Sequence, residues 1–177
     1  MAVTVAIVTG SNKGIGYGIV KALCQKFQGD VYLAPRDQTR GSEAVAKLNK
    51  EGLQPKYHTL DVCDEQSILK LRDFMKEKYG GIDVLVNNAG IASAVDDENS
   101  FGEQAKTVLK TNYWANRKVS EILFDILNPG ARVVNITSSF ESLCHLVGDC
   151  SGDKVELEFY ENWEYVVTSS FRFRLRR

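Results

Sequence analysis

The chain has 177 residues, 44% of them hydrophobic and 25% charged, and a formal net charge of -1. Those values suit a single soluble globular domain with a substantial core, and they supply no global electrostatic pull toward nucleic acid or a membrane surface. No stretch approaches the roughly 20 apolar residues of a spanning helix.

MAVTVAIVTG at the start lacks a basic leader and a cleavage site, so the chain is expected in the cytosol. The cysteines Cys24, Cys63, Cys144 and Cys150 contain no C-x-x-C pair, which fits reduced thiols. Cys144, His145 and Cys150 match no common ligand spacing, and no metal site is expected.

Val3 to Val8 is a continuous apolar run, as in a strand buried on both faces. The glycines that follow open a helix predicted to bury Ile19, Val20, Leu23 and Phe27. DVYLA, Asp30 to Ala34, reads as a second strand, and Ser42 to Lys50 as a second helix carrying Ala44, Val45 and Leu48. Tyr57 to Leu60 reads as a third strand, after which Asp64 can cap a helix with Ile68, Leu71 and Met75 at helical spacing.

IDVLVNNAG gives a fourth strand ending in small polar residues, a helix is predicted from about Phe101 to Leu127, and RVVNI forms a fifth strand from Arg132 to Ile136. Such alternation requires right-handed crossovers and a parallel sheet with helices on both faces. The predicted fold class is α/β, a doubly wound parallel sheet of Rossmann-like type, one domain over residues 1–177 with a divergent segment at 140–177.

In such sheets the first strand-to-helix turn is the usual phosphate site, because small residues let a phosphate reach unpaired N–H groups at the helix start. Gly10, Gly14 and Gly16 form G-x-x-x-G-x-G, which differs from both G-x-G-x-x-G and the P-loop. Tight packing alone is the alternative reading of these glycines. The second strand ends Ala34-Pro35-Arg36, and Lys13 lies in the glycine turn. Two cations converging on a 2'-phosphate favour NADP over NAD; the alternative is that both are solvated surface charges, and Asp37 is adjacent.

TGSNKGIG (Thr9 to Gly16), LDV (Leu60 to Val62), NNAG (Asn87 to Gly90), KTN (Lys110 to Asn112) and NITSS (Asn135 to Ser139) occur in the order and at the intervals of the short-chain dehydrogenase/reductase family, which the chain resembles. GDVYLAPRDQTRG and YGGIDVLVNNAGIA are most similar to its carbonyl reductase branch, monomeric enzymes that use NADPH to reduce ketones, aldehydes and quinones. The resemblance implies NADPH/NADP as cofactor, bound by Gly10, Asn12, Lys13, Gly14, Ile15, Gly16 and Arg36, with a small carbonyl compound as substrate.

Asp61 and Val62 would flank the adenine, and Asn88, Ala89 and Gly90 would line the nicotinamide side. Asn112 corresponds to the asparagine that holds a water in the proton relay. Ser138, or Ser139 one residue on, matches the serine that bonds the substrate carbonyl and stabilises the oxyanion.

The family's chemistry uses a Tyr-x-x-x-Lys pair one helix further on, in which lysine lowers the tyrosine pKa from its ordinary value near 10. No tyrosine after Ser138 has lysine four residues later. Tyr165, in YVVTS, has the nearest form, with Ser169 in the lysine position; it equally reads as an ordinary half-buried aromatic. The family normally continues for two more strands, so a chain truncated or spliced at the C-terminal edge of its sheet is expected. The alternative function is a catalytically impaired NADPH-binding fragment.

Overall fold

Five parallel strands form the sheet in a computed structural model that describes residues 3–92 and 99–137, together with the backbone of 165–167 and 172–174. β1 (Val5–Thr9) is central, and all five of its side chains are buried, because helices cover both faces of a parallel sheet. It pairs in parallel with β2 (Asp30–Ala34) on one side and β4 (Ile82–Asn87) on the other. β3 (Lys56–Tyr57) and β5 (Leu127–Asn135) extend the order to β3-β2-β1-β4-β5. Two short strands, β6 (Tyr165–Val167) and β7 (Arg172–Arg174), pair antiparallel with each other in a second ladder.

The helices follow from spacing and caps. α1 (Gly14–Lys26) succeeds the glycine turn. α2 (Gln38–Lys50) starts one turn before the apolar pattern does, because the Asp37 carboxylate accepts the Arg40 N–H at 2.8 Å and opens the helix there. Gly41, which hides this turn in the sequence, is buried so closely that a Cβ would lie 2.7 Å from Pro35 Cγ. α3 (Glu65–Tyr79) begins at the expected cap, with Asp64 accepting from Gln66 N, and buries Ile68, Leu71 and Met75.

Alternation along the strands divides the core. Val5, Ile7 and Leu85 pack with α3 and with Val119 and Leu123, while Val8, Leu33 and Val86 pack with Val20, Ala44 and Leu48 from α1 and α2. Each fully buried Leu or Ile adds about 1.5–3 kcal/mol relative to exposure.

Three expectations are corrected. The single helix from 101 to 127 is interrupted: α4 (Phe101–Leu109) passes into a π turn at Lys110–Ala115, α5 (Asn116–Leu123) resumes, and a 3-10 turn at Phe124–Ile126 ends it. The fifth strand begins at Leu127 instead of Arg132. Pro129 and Gly130 resemble a turn, yet they form a bulge, with Leu127 opposite Ile82 and Arg132 opposite Val84. The third strand, expected over Tyr57 to Leu60, comprises Lys56 and Tyr57. Among the described residues no helix is long and apolar enough to cross a membrane.

A polar network closes the end of the sheet where the strands begin. The Tyr79 hydroxyl donates to Asp30 Oδ2 at 2.5 Å, Lys56 pairs with the same oxygen, and Lys78 Nζ donates to the Tyr32 hydroxyl at 3.0 Å. Burial works against ionisation of Asp30, but hydrogen bonds from Lys56 and Tyr79 and the charges of Lys56 and Lys78 outweigh it, so its pKa lies below the ordinary value.

A depressed folded-state pKa stabilises the fold above the unfolded value near 3.8, and that stabilisation is lost as pH falls through the folded value. Asp30→Asn is expected to lower Tm at neutral pH by about 2–4 °C, for about 1 kcal/mol. The gap from the parent chain should narrow in melts taken toward about pH 3; a gap independent of pH would mean that the charge is not used.

Candidate functional site

Strand order reverses between β1 and β4, so the segments leaving their carboxyl ends diverge and open a crevice there. The chain turns out of β1 at Gly10, whose φ of 62° is strained for any residue with a Cβ. A Cβ there would also lie 2.7 Å from Ala89 Cα, so the turns after β1 and β4 are in contact. A Cβ on Gly16 would collide with the Asn88 carboxamide and lie 2.9 Å from Ser11 Cα. Gly14 differs: its φ is 59°, and nothing lies within 4 Å of where a Cβ would be. The first turn of α1 therefore faces open space.

Hydrogen bonds fix this arrangement. Thr9 Oγ1 accepts from the backbone N–H of Asn88 at 3.0 Å and of Ala89 at 2.9 Å. Asn88 Nδ2 donates back to Thr9 O at 2.9 Å and Gly10 O at 3.2 Å, so the Asn88 side chain braces the glycine turn. Ser11 Oγ donates to Val8 O and accepts from Ala34 N, tying the turn to the end of β2.

The start of α1 is built differently from the other loop-to-helix junctions. Asp37 caps α2, Asp64 caps α3, and Ser100 with Glu103 forms a capping box on α4. Lys13 precedes α1 with no side-chain cap, and the first turn carries no acidic residue. Its N–H groups and the positive end of the helix dipole are thus left to an external anion. A dinucleotide diphosphate fits here, since the glycines admit it and the amides can bond it. Asn12 is half-buried, while Ile15 is 69% exposed beside the turn.

Arg36 and Lys13 are both exposed, and among the described residues neither enters an ion pair. Asp37, the neighbour that weakened the NADP reading, directs its carboxylate into the α2 cap. Leu60 N donates to Pro35 O at 2.8 Å, which brings the Asp61–Val62 segment alongside the end of β2. Asp61 Oδ1 accepts from Cys63 N at 2.9 Å, shaping its own loop, and Val62 is buried.

Beyond β4, Asn112 clamps Ile91: its Oδ1 accepts the Ile91 N–H at 2.8 Å and its Nδ2 donates to the Ile91 carbonyl at 2.9 Å. A Cβ on Gly90 would lie 3.4 Å from Asn112 Oδ1. The side chain of Asn112 is thus fully engaged with Ile91, and its main-chain carbonyl accepts from Asn116 Nδ2 at 3.0 Å. Asn116, one turn on, donates to Ala89 O at 2.8 Å.

The structure thus brings together Gly10, Gly14, Gly16, Asn88, Ala89, Gly90 and Asn112, with Arg36 and Asp61 at the ends of neighbouring strands. Ser138 and Ser139 lie outside the described residues, and so does the side chain of Tyr165, the first residue of β6.

Thr9, Ser11 and Asn116 were not singled out from the sequence, although a hydroxyl at the end of an apolar strand and an asparagine four residues after Asn112 were available signals. A Tyr-x-x-x-Lys spacing does occur, at Tyr17 and Lys21 in α1. It lies outside the family's position, and Lys21 is ion-paired at 2.5 Å with Glu51 beyond the end of α2.

Residues 4–144 match the short chain dehydrogenase family. The chain is 55% identical over 134 residues to carbonyl reductase (NADPH) 3 of Mus musculus and 54% identical over 134 residues to carbonyl reductase (NADPH) 1 of Homo sapiens, in each case across 76% of this chain and 48% of the relative. It spans about half the length of the curated relatives it matches. Salutaridine reductase from Papaver somniferum superposes with a TM-score of 0.72 at 36% identity, over 79% of this chain and 59% of that one.

Glycine substitutions test the packing of the crevice. Gly16→Ala is expected to destabilise by about 1–3 kcal/mol, because both neighbours of the new methyl are fixed. Gly18→Ala, with nothing within 4 Å of its Cβ position, should be neutral or stabilise by up to about 1 kcal/mol. Thermal melts of the two variants decide it, and equal shifts would contradict the described contact between the turns.

Proposed function

Because the chain belongs to the short chain dehydrogenase family, we propose that it binds NADPH in the crevice between β1 and β4 and reduces small ketones, aldehydes or quinones to alcohols. The observation that carries the reading is the start of α1, left without a side-chain cap and fronted by glycines. Backbone N–H groups of residues 14–16 bond the diphosphate, and Arg36 and Lys13 bind the 2'-phosphate as cations without competing partners among the described residues.

Asp61 and Val62 flank the adenine. Ala89 and Gly90 form the floor of the nicotinamide side, with Asn88 bracing the glycine turn beneath it. When bound, NADPH supplies the hydride that reaches the carbonyl carbon. Ser138 donates a hydrogen bond to the carbonyl oxygen and favours the charge that develops there, Tyr165 delivers the proton, and Asn112 holds a water that replenishes it. On the same reading the protein is a cytosolic monomer with no nucleic-acid or membrane partner; Cys24 and Cys63, free thiols, accord with that compartment.

The full chain is expected to bind NADPH, seen by fluorescence transfer, and to consume it with menadione as acceptor. Ser138→Ala and Tyr165→Phe should each abolish consumption while leaving binding in place. Consumption that survives both changes removes these residues from the chemistry, and binding without consumption in the parent chain leaves a cofactor-binding domain without the reaction.

Arg36→Asp tests the 2'-phosphate assignment. The loss of a charge-assisted contact of about 1.5–3 kcal/mol should weaken NADPH by roughly 10–100-fold and NADH far less. Equal losses for the two cofactors would show that Arg36 does not read the phosphate.

A further inference from the structure

We infer that Asn116 is a positioning residue for the nicotinamide end of the crevice, acting through the turn after β4; the inference rests on the cofactor reading above. Asn116 Nδ2 donates to Ala89 O at 2.8 Å, Asn112 O at 3.0 Å and Thr111 O at 3.3 Å. Two amide hydrogens serve three carbonyls, so one hydrogen is shared. Because all three neighbours only accept, the carboxamide orientation is fixed by its surroundings and not by choice of fit. Asn116 Oδ1 points away and is buried, with no donor among the described residues.

A buried acceptor without a donor costs about 1–3 kcal/mol. An asparagine placed only for stability would not leave one, so its two donors are what the position uses. The π turn explains why donors are needed. The Asn116 backbone N–H turns to Tyr113 O, and the Asn112 carbonyl that it would meet in an α-helix takes the side-chain amide instead. π turns of this kind recur at functional sites because they re-aim backbone and side chains locally.

The two asparagines, one turn apart, thereby hold the whole segment under the nicotinamide: Asn116 fixes Ala89 from its carbonyl, and Asn112 fixes Ile91 from both its N–H and its carbonyl. The adenine side is held separately, by Ser11 and by the Leu60 to Pro35 hydrogen bond. Asn116 therefore governs one half of the crevice and leaves the other half unchanged.

Asn116→Asp preserves shape and sets a carboxylate oxygen against three carbonyls. Equilibrium binding on the full chain, well below its melting temperature, should show NADPH weakened about tenfold or more. Adenosine 2',5'-bisphosphate, which carries the adenine and 2'-phosphate without nicotinamide, should change by less than about twofold. Asn116→Ser, which keeps a hydroxyl donor, should show the same pattern at smaller amplitude and decides the matter if the first variant does not fold. Equal weakening of both probes, or unchanged NADPH affinity, overturns the inference. A parent chain that binds neither probe overturns the cofactor reading itself.

Discussion

The Thr9 hydroxyl, buried at the end of the central strand, holds the turns after β1 and β4 at one separation. A single oxygen accepts two backbone N–H groups of the turn after β4, each bond adding about 0.5–1.5 kcal/mol. From that separation the rest follows. Gly10 and Gly16 must be glycine because the opposing backbone and the Asn88 carboxamide occupy the space of a side chain. Asn88 can return its own hydrogen bonds to the glycine turn because the turn is so near. The crevice floor is thus a cross-braced pair of loops, and only Gly14 and the helix behind it face outward.

Much of this was legible in the sequence, and the reason is local. The apolar run of β1 and the spacing of Ile68, Leu71 and Met75 report burial through periodicity, and Asp64 reports a helix start through a hydrogen bond two residues away. What escaped depends on partners far along the chain. Pro129 and Gly130 look like punctuation until β4 is seen to pair on either side of them. The π turn has no apolar signature, since it answers to the carbonyls of Ala89 and Asn112. Tyr17 and Lys21 have the spacing of a catalytic pair, yet Lys21 meets Glu51.

The two ends of the sheet have opposite chemistry. Where strands begin, Asp30, Tyr32, Lys56, Lys78 and Tyr79 satisfy one another, and Asp83 accepts from both Val5 N and Asn128 Nδ2. Where strands end, donors are left pointing outward at α1, and cations stand unpaired among the described residues. Placing the closed network at one end and the open one at the other lets the fold be anchored without filling the crevice.

The bare start of α1 has one more consequence. A helix whose terminal donors await a guest is finished only by that guest, so occupancy enters the folding equilibrium itself. Each tenfold excess of a bound anion over its Kd adds about 1.4 kcal/mol to the free energy of unfolding. The folded population, and with it the resistance of the chain to proteases, then rises and falls with the supply of a small molecule that is no part of the polypeptide.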